Sequence, residues 1–221
     1  MRYYPVNLDI QNRKCLVVGG GEVGTRKVLT LIECGASVTV VSIMASEKLL
    51  KLAESGIIEL KRRPYTGTDL DGTFLVICAT DNEELNLQVS RDAGKINILC
   101  NIADRPEACN FILPALVKRG SLVIAVSTSG KSPAFAKKIR KDLERQYGVE
   151  YADFLKLMGV IRKRLLSNNH EPEEHKHLFE KLISKDIVQL IKNNDEEKID
   201  SVLFEVLGEG YGYMDLMRQE E

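Results

Sequence analysis

What this chain lacks narrows what it can be. No apolar run approaches the roughly 18 residues needed to span a bilayer, and no secretory hydrophobic region precedes the first strand-like segment. A cytoplasmic protein with no membrane partner is the expectation. Charge of one sign is not in excess either: 31 basic residues face 32 acidic ones, for a formal charge of −1. Nothing global therefore favours nucleic acid as a partner. The five cysteines, Cys15, Cys34, Cys78, Cys100 and Cys109, show no C-x-x-C spacing. Three of them fall in or beside strand-like segments, which argues for small buried hydrophobes in a reducing compartment and against disulfides or a zinc site. The three histidines, His170, His175 and His177, share a polar, acidic connection at a spacing that fits no helical metal pair. They are expected to face solvent, and no metal site is expected.

What is present is ordinary in composition and specific in order. With 221 residues, 44% hydrophobic and 29% charged, the chain has room for one good core and a smaller module. Its most informative stretch is Lys14–Ser42, KCLVVGGGEVGTRKVLTLIECGASVTVVS. Lys14–Val18 reads as a short strand buried on both faces of a parallel sheet. Gly19, Gly21 and Gly24 follow as G-x-G-x-x-G, for a tight turn, for approach of a pyrophosphate to the backbone and for close helix–strand packing. A helix from about Glu22 to Cys34 aims its free N–H groups at that phosphate, and Ser37–Val41 forms the second strand. The acidic residue expected at the end of that strand to hold the ribose of NAD is missing. Ser42 stands there, followed by Ile43, and neither is an arginine suited to a 2′-phosphate. On chemistry alone, NAD and NADP both stay open.

Farther along, Ala45–Ser55 reads as a helix, Ile57–Lys61 as a third strand and Lys61-Arg62-Arg63-Pro64 as a solvated loop. Thr73–Ala79 is a fourth strand running into Thr80-Asp81-Asn82. Asp81 either caps the next helix or, with Thr80, lines a cleft beyond the carboxyl ends of the strands. Ile96–Cys100 is a fifth strand, and Asn101 to Asp104 leave its carboxyl end. Asp104 is either a turn former or a group delivered to the ligand-binding edge. The alternation of strand and helix up to about residue 113 specifies an α/β, Rossmann-type, doubly wound parallel sheet.

Beyond that point the pattern changes. Gly120–Ser127 is a clean strand, followed by Thr128-Ser129-Gly130-Lys131 and a helix with Ser132 as cap and Pro133 as first residue. Between Lys118 and Arg145, eight basic residues face two acidic ones. This segment is either a capped helix with a solvated cationic face or a place for carboxylates and phosphates. From Glu150 onward the chain is helical. Three segments are thus expected: residues 1–113, 114–148 and 149–221.

Together the blocks VVGGGEVGTRK (Val17–Lys27), GASVTVVS (Gly35–Ser42), ATDNEELN (Ala79–Asn86), CNIAD (Cys100–Asp104), FILPA (Phe111–Ala115) and AVSTSGKSPAFAKKIR (Ala125–Arg140) resemble the precorrin-2 dehydrogenase and sirohydrochlorin ferrochelatase family, the dehydrogenase/chelatase part of sirohaem synthase. The resemblance implies NAD-dependent oxidation of precorrin-2 by a homodimer whose segment near 114–147 exchanges across the interface. It puts NAD on the glycine turn with Glu22 and Val23, and on Ser42 and Ile43. It makes Asp104 the catalytic residue, for dehydrogenation and, where it occurs, for insertion of ferrous iron. Asn101 and the Thr128, Ser129, Gly130, Lys131 loop are then expected at the tetrapyrrole. Gly24 stands where relatives often have alanine, a departure expected to be harmless. The pattern around Ser129 departs from that of relatives with a regulatory phosphoserine, so no modification carries over. An NAD-sensing module without catalysis, and a chelatase without dehydrogenation, are the competing readings.

Overall fold

The computed structural model describes residues 2–103, 105–167 and 172–218. It divides into two compact units, Met1–Leu113 and Pro114–Glu221.

In the first unit, β1 (Lys14–Gly20), β2 (Ser37–Ala45), β3 (Glu59–Lys61), β4 (Leu75–Cys78) and β5 (Leu99–Ile102) form one parallel sheet in the order β3-β2-β1-β4-β5. Successive side chains of a strand face opposite ways, so each apolar run feeds two cores. Leu16, Val18, Val41, Val76, Cys78, Cys100 and Ile102 pack on one face with Val89 and Ala93 of α3 (Glu83–Lys95). Cys15, Val17, Val38, Val40, Leu75 and Ile77 pack on the other, with Val28 and Leu31 of α1 (Glu22–Glu33) and Leu49 of α2 (Glu47–Glu54). Each such fully buried Val, Leu or Ile contributes about 1.5–3 kcal/mol. Helices on both faces and one strand direction make the doubly wound Rossmann-type sheet that the alternation specifies.

Several local expectations are corrected. β2 does not stop at Val41. It runs to Ala45, with a register shift: Val18 faces Val41 but Gly20 faces Ala45, so Ser42, Ile43 and Met44 bulge from the edge. The helix expected from Ala45 starts at Glu47, capped by the Ser46 hydroxyl, which accepts from the Leu49 N–H at 3.3 Å. Asp81 is not the cap of α3. Asn82 is, its side chain accepting from the Leu85 N–H at 3.0 Å, because Asn82 is the residue three positions before the N–H that needs a partner. The fifth strand begins at Leu99, since Asn97 takes φ +57° as the chain leaves α3. Near the start of the chain Ile10 is buried in the α1–α2 face core, while Val6 and Leu8 are exposed.

The second unit opens with a hairpin. β6 (Ala115–Arg119), which sequence periodicity missed, pairs antiparallel with β7 (Leu122–Val126) about Gly120 at φ +54°. The Ser127–Lys131 loop leads to α4 (Pro133–Gln146), capped by Ser132. Arg119 donates from Nε to the Tyr147 carbonyl at 2.9 Å and from Nη2 to that of Glu144 at 3.1 Å, satisfying carbonyls at the end of α4. α5 (Glu150–Ser167), α6 (Pro172–Ser184), α7 (Ile187–Lys192), α8 (Glu196–Leu207) and α9 (Tyr213–Arg218) enclose a separate core around Leu157, Ile161, Leu182, Ile199, Leu203 and Leu216. His175 is buried, contrary to expectation, because it lies on the same face of α6 as Leu178 and Leu182. His177 is exposed, and His170 lies outside the described residues.

Candidate functional site

The carboxyl ends of β1, β2 and β4 meet at a cleft of about 720 Å³. Its floor is the glycine turn. Gly19 sits at φ +114°, with the Ala79 backbone so near that a Cβ would collide with its carbonyl, and Thr80 Cγ2 3.0 Å from that position. Only glycine fits that approach. A Cβ on Gly24 would run into the Gly19 carbonyl oxygen, so α1 packs closer to β1 here than an alanine allows. The substitution read as harmless from the resemblance is therefore not interchangeable in this chain.

Gly21 is different. As the residue before α1 it has no side chain to cap the helix, and nothing lies within 4 Å of where its Cβ would be. That leaves an open approach to the first N–H groups of α1, where the helix dipole favours an anion. Glu22 and Val23 form the first turn of that helix and are exposed.

One wall comes from the end of β2. Ser42 accepts the Gly20 N–H at 3.0 Å and donates to the Met44 carbonyl at 2.6 Å, so its hydroxyl is used in shaping the bulge. Ile43 and Met44 are 66% and 80% exposed beside it, an apolar lip unusual for unpartnered surface. The opposite wall is Thr80, Asp81 and Asn82 at the end of β4, with Glu84, Leu85 and Gln88 of α3. Thr80 donates to buried Asn86 Oδ1 at 2.7 Å, and the Asn86 amide donates back to the Thr80 carbonyl at 2.9 Å. That reciprocal pair fixes the backbone that abuts Gly19.

The third wall is one the sequence reading passed over. Arg63, Pro64 and Tyr65 line the cleft. Asp69, with 2% of its side chain exposed, accepts from Arg63 Nη1 at 2.8 Å, from Nη2 at 2.5 Å and from the Thr66 N–H at 2.9 Å. Those bonds hold its carboxyl at about 2, well below the usual carboxylate range, and push the guanidinium further up. The signal that could have found this wall is strand order. β3 pairs beside β2 and its exit must meet the glycine turn.

Asp104 lies outside the described residues; the groups on either side of it do not. The Ala103 N–H donates to the Cys78 carbonyl at 2.9 Å, carrying β5 to the same carboxyl edge. Cys109 Sγ accepts from the Ile102 N–H and donates to the Arg105 carbonyl, both at 3.0 Å, while Arg105 pairs with Glu83. Burial raises the Cys109 pKa, keeping it a thiol able to donate. Asn101 does not point to open space: it is buried, and its amide donates to the Phe111 carbonyl at 3.0 Å. Thr128, Ser129, Gly130 and Lys131 belong to the second unit. There the Thr128 hydroxyl bonds both the carbonyl and the N–H of Ser132, at 3.0 and 3.2 Å, and Ser129 takes φ +53°. Lys131 is exposed.

A family model described as NAD(P)-binding matches residues 6–115, and one described as sirohaem biosynthesis protein central matches residues 119–146. Siroheme synthase of Methylococcus capsulatus is 34% identical over 205 residues, and that of Escherichia coli O139:H28 is 33% identical over 210. These stretches cover 93% and 95% of this chain and 43% and 46% of those proteins. The chain thus spans under half the length of these curated relatives. A solved structure titled SirC, precorrin-2 dehydrogenase, superposes with a TM-score of 0.73 at 28% identity, covering 86% of this chain and all of that one (100%).

The chain belongs to the sirohaem-biosynthesis family that these matches describe. Its first unit carries the family's nicotinamide-dinucleotide fold, and the glycine cradle, with an open Gly21 at an uncapped helix start, fits such a cofactor. Among the described residues, no helix is long and apolar enough to cross a membrane, and no group of three or more His, Cys, Asp or Glu is placed to hold a metal.

Proposed function

We propose that this chain oxidises precorrin-2 to sirohydrochlorin with NAD as acceptor. The observation that carries this is the glycine-floored cleft at the carboxyl edge of the sheet, in a chain that spans the whole of a precorrin-2 dehydrogenase structure. Gly19, Gly21 and Gly24, with the N–H groups of Glu22 and Val23, hold the pyrophosphate. The Ser42–Ile43 bulge receives the adenosine end, and Thr80 and Asp81 face the nicotinamide end. The bound nicotinamide supplies hydride acceptance.

The protein's part is to position and to take the proton. A two-electron oxidation of the macrocycle releases one hydride and one proton. Asp104, which follows β5 in the sequence, takes the proton as general base. Positioned bases of this kind contribute about 10²–10⁴-fold. Precorrin-2 is a polycarboxylate, and the basic segment with Thr128, Ser129, Gly130 and Lys131 supplies the matching charge. Asn101 acts from behind, holding the β5 exit. The working unit is a homodimer built through residues 114–147. Ferrous iron, where inserted, is a second substrate that draws on the same Asp104.

The test is anaerobic mixing of the purified chain with precorrin-2 and NAD, without added metal, while NADH and the tetrapyrrole spectrum are recorded together. Both NADH and sirohydrochlorin are expected. NAD binding with neither product would refute dehydrogenation and favour a sensing role. Asp104→Ala is expected to keep NAD affinity and lose most of the rate; equal turnover would remove Asp104 from the chemistry.

A further inference from the structure

In doubly wound folds the second strand's end discriminates between cofactors: an acid there binds the free 2′-hydroxyl of NAD, and an arginine nearby accommodates the 2′-phosphate of NADP. This chain has neither in the usual place. Ser42 is engaged by the Gly20 N–H and the Met44 carbonyl. The discriminating group must come from elsewhere on the rim.

The β2–β3 register supplies it. Val41 faces Lys61, so two residues farther on Arg63 comes level with Ile43, and both line the cleft. Of the described residues lining it, Arg63 is the one cation, against the carboxylates of Asp81 and Glu84. A free guanidinium fork would suit a phosphate dianion. This fork is filled: Asp69 takes both terminal nitrogens at 2.5 and 2.8 Å, and Nη1 also donates to the Pro64 carbonyl at 2.9 Å. Lys61 Nζ, 3.8 Å from Asp69, adds to the same carboxylate.

We propose that Asp69 sets a preference for NAD over NADP by engaging the Arg63 fork, so that the cleft presents no available cation to a 2′-phosphate. The inference rests on the cofactor placement proposed above. A 2′-phosphate would have to displace a buried carboxylate or accept its repulsion. A neutral 2′-hydroxyl meets neither obstacle.

The experiment is calorimetric titration of NAD and of NADP into the full chain, for the wild type, Asp69→Asn and Arg63→Gln, with folding checked by circular dichroism. The wild type is expected to bind NAD at least about tenfold more tightly, and Asp69→Asn to narrow that ratio about tenfold, chiefly by gaining NADP. Arg63→Gln leaves the carboxylate behind the rim with only Lys61 and its Thr66 contacts and is expected to widen the ratio by about threefold. A wild type without preference, or a ratio unmoved in a folded variant, overturns the proposal. If Asp69→Asn does not fold, the Arg63→Gln ratio decides alone. Failure of the underlying cofactor site reads differently: neither dinucleotide binds the wild type, or both still bind Gly21→Asp.

Discussion

The Arg63–Asp69 pair also makes a prediction about acid stability that needs no ligand. The Asp69 carboxyl titrates at about 2 in the folded chain, against 3.8 for an unperturbed aspartate, chiefly because Arg63 donates to it. A lowered folded value means the ionised form is bound more tightly by the folded state. Its stabilisation is therefore fully present above the ordinary value, and is lost as the pH falls through the folded one. At about 1.4 kcal/mol for each tenfold change in proton affinity, the difference amounts to about 2 kcal/mol. Replacing Asp69 by Asn removes this contribution at neutral pH but cannot remove it where the wild-type carboxyl is already protonated. Urea denaturation of both proteins at a series of pH values should show a stability gap that is flat above about pH 5 and closes by about 2 kcal/mol on approach to about pH 2. A gap independent of pH across that window would mean that Asp69 contributes through packing and its Thr66 contacts alone, and would refute the electrostatic account.

Other consequences follow from the site geometry. Gly21→Asp should fold normally, since nothing lies within 4 Å of the added Cβ, yet abolish dinucleotide binding by placing a carboxylate at the proposed pyrophosphate position; calorimetry and a thermal melt read the two parts. Gly24→Ala should lower stability by about 1–3 kcal/mol, the usual cost of overpacking, because the new methyl meets a backbone oxygen that cannot rotate away. Cys109→Ala should cost about 1–3 kcal/mol by leaving the buried Ile102 N–H without its acceptor, and should lower kcat while sparing NAD affinity; unchanged kcat would show that the β5 exit is held by Asn101 and Asn110 without it.

Much of the first unit is legible in the amino-acid order. Strands buried on both faces read as unbroken apolar runs, and the glycine spacing at the end of β1 reads as a phosphate turn because only glycine tolerates the backbone approach seen at Gly19. What escaped the sequence reading was decided between segments far apart in the chain. Ser42 looked like the empty place of a ribose ligand, but pairing with β1 turns its hydroxyl inward to Gly20. Arg63 looked like one of a solvated triplet, but Asp69 draws it onto the rim. Asn101 looked available to substrate, and the returning chain at Phe111 takes its amide.

The division has a physical cause. Periodicity, glycine conformational freedom and capping residues act within a few positions, so the sequence by itself determined the strands of the parallel sheet to within a few residues, the glycine turn and the order of elements in the first unit. Which hydroxyl, amide or guanidinium is left for a ligand depends on what else a buried polar group can reach. That choice is made only when strand register and loop return bring partners together, and here it set the β2 bulge, the clamped β5 exit and the occupied Arg63 fork.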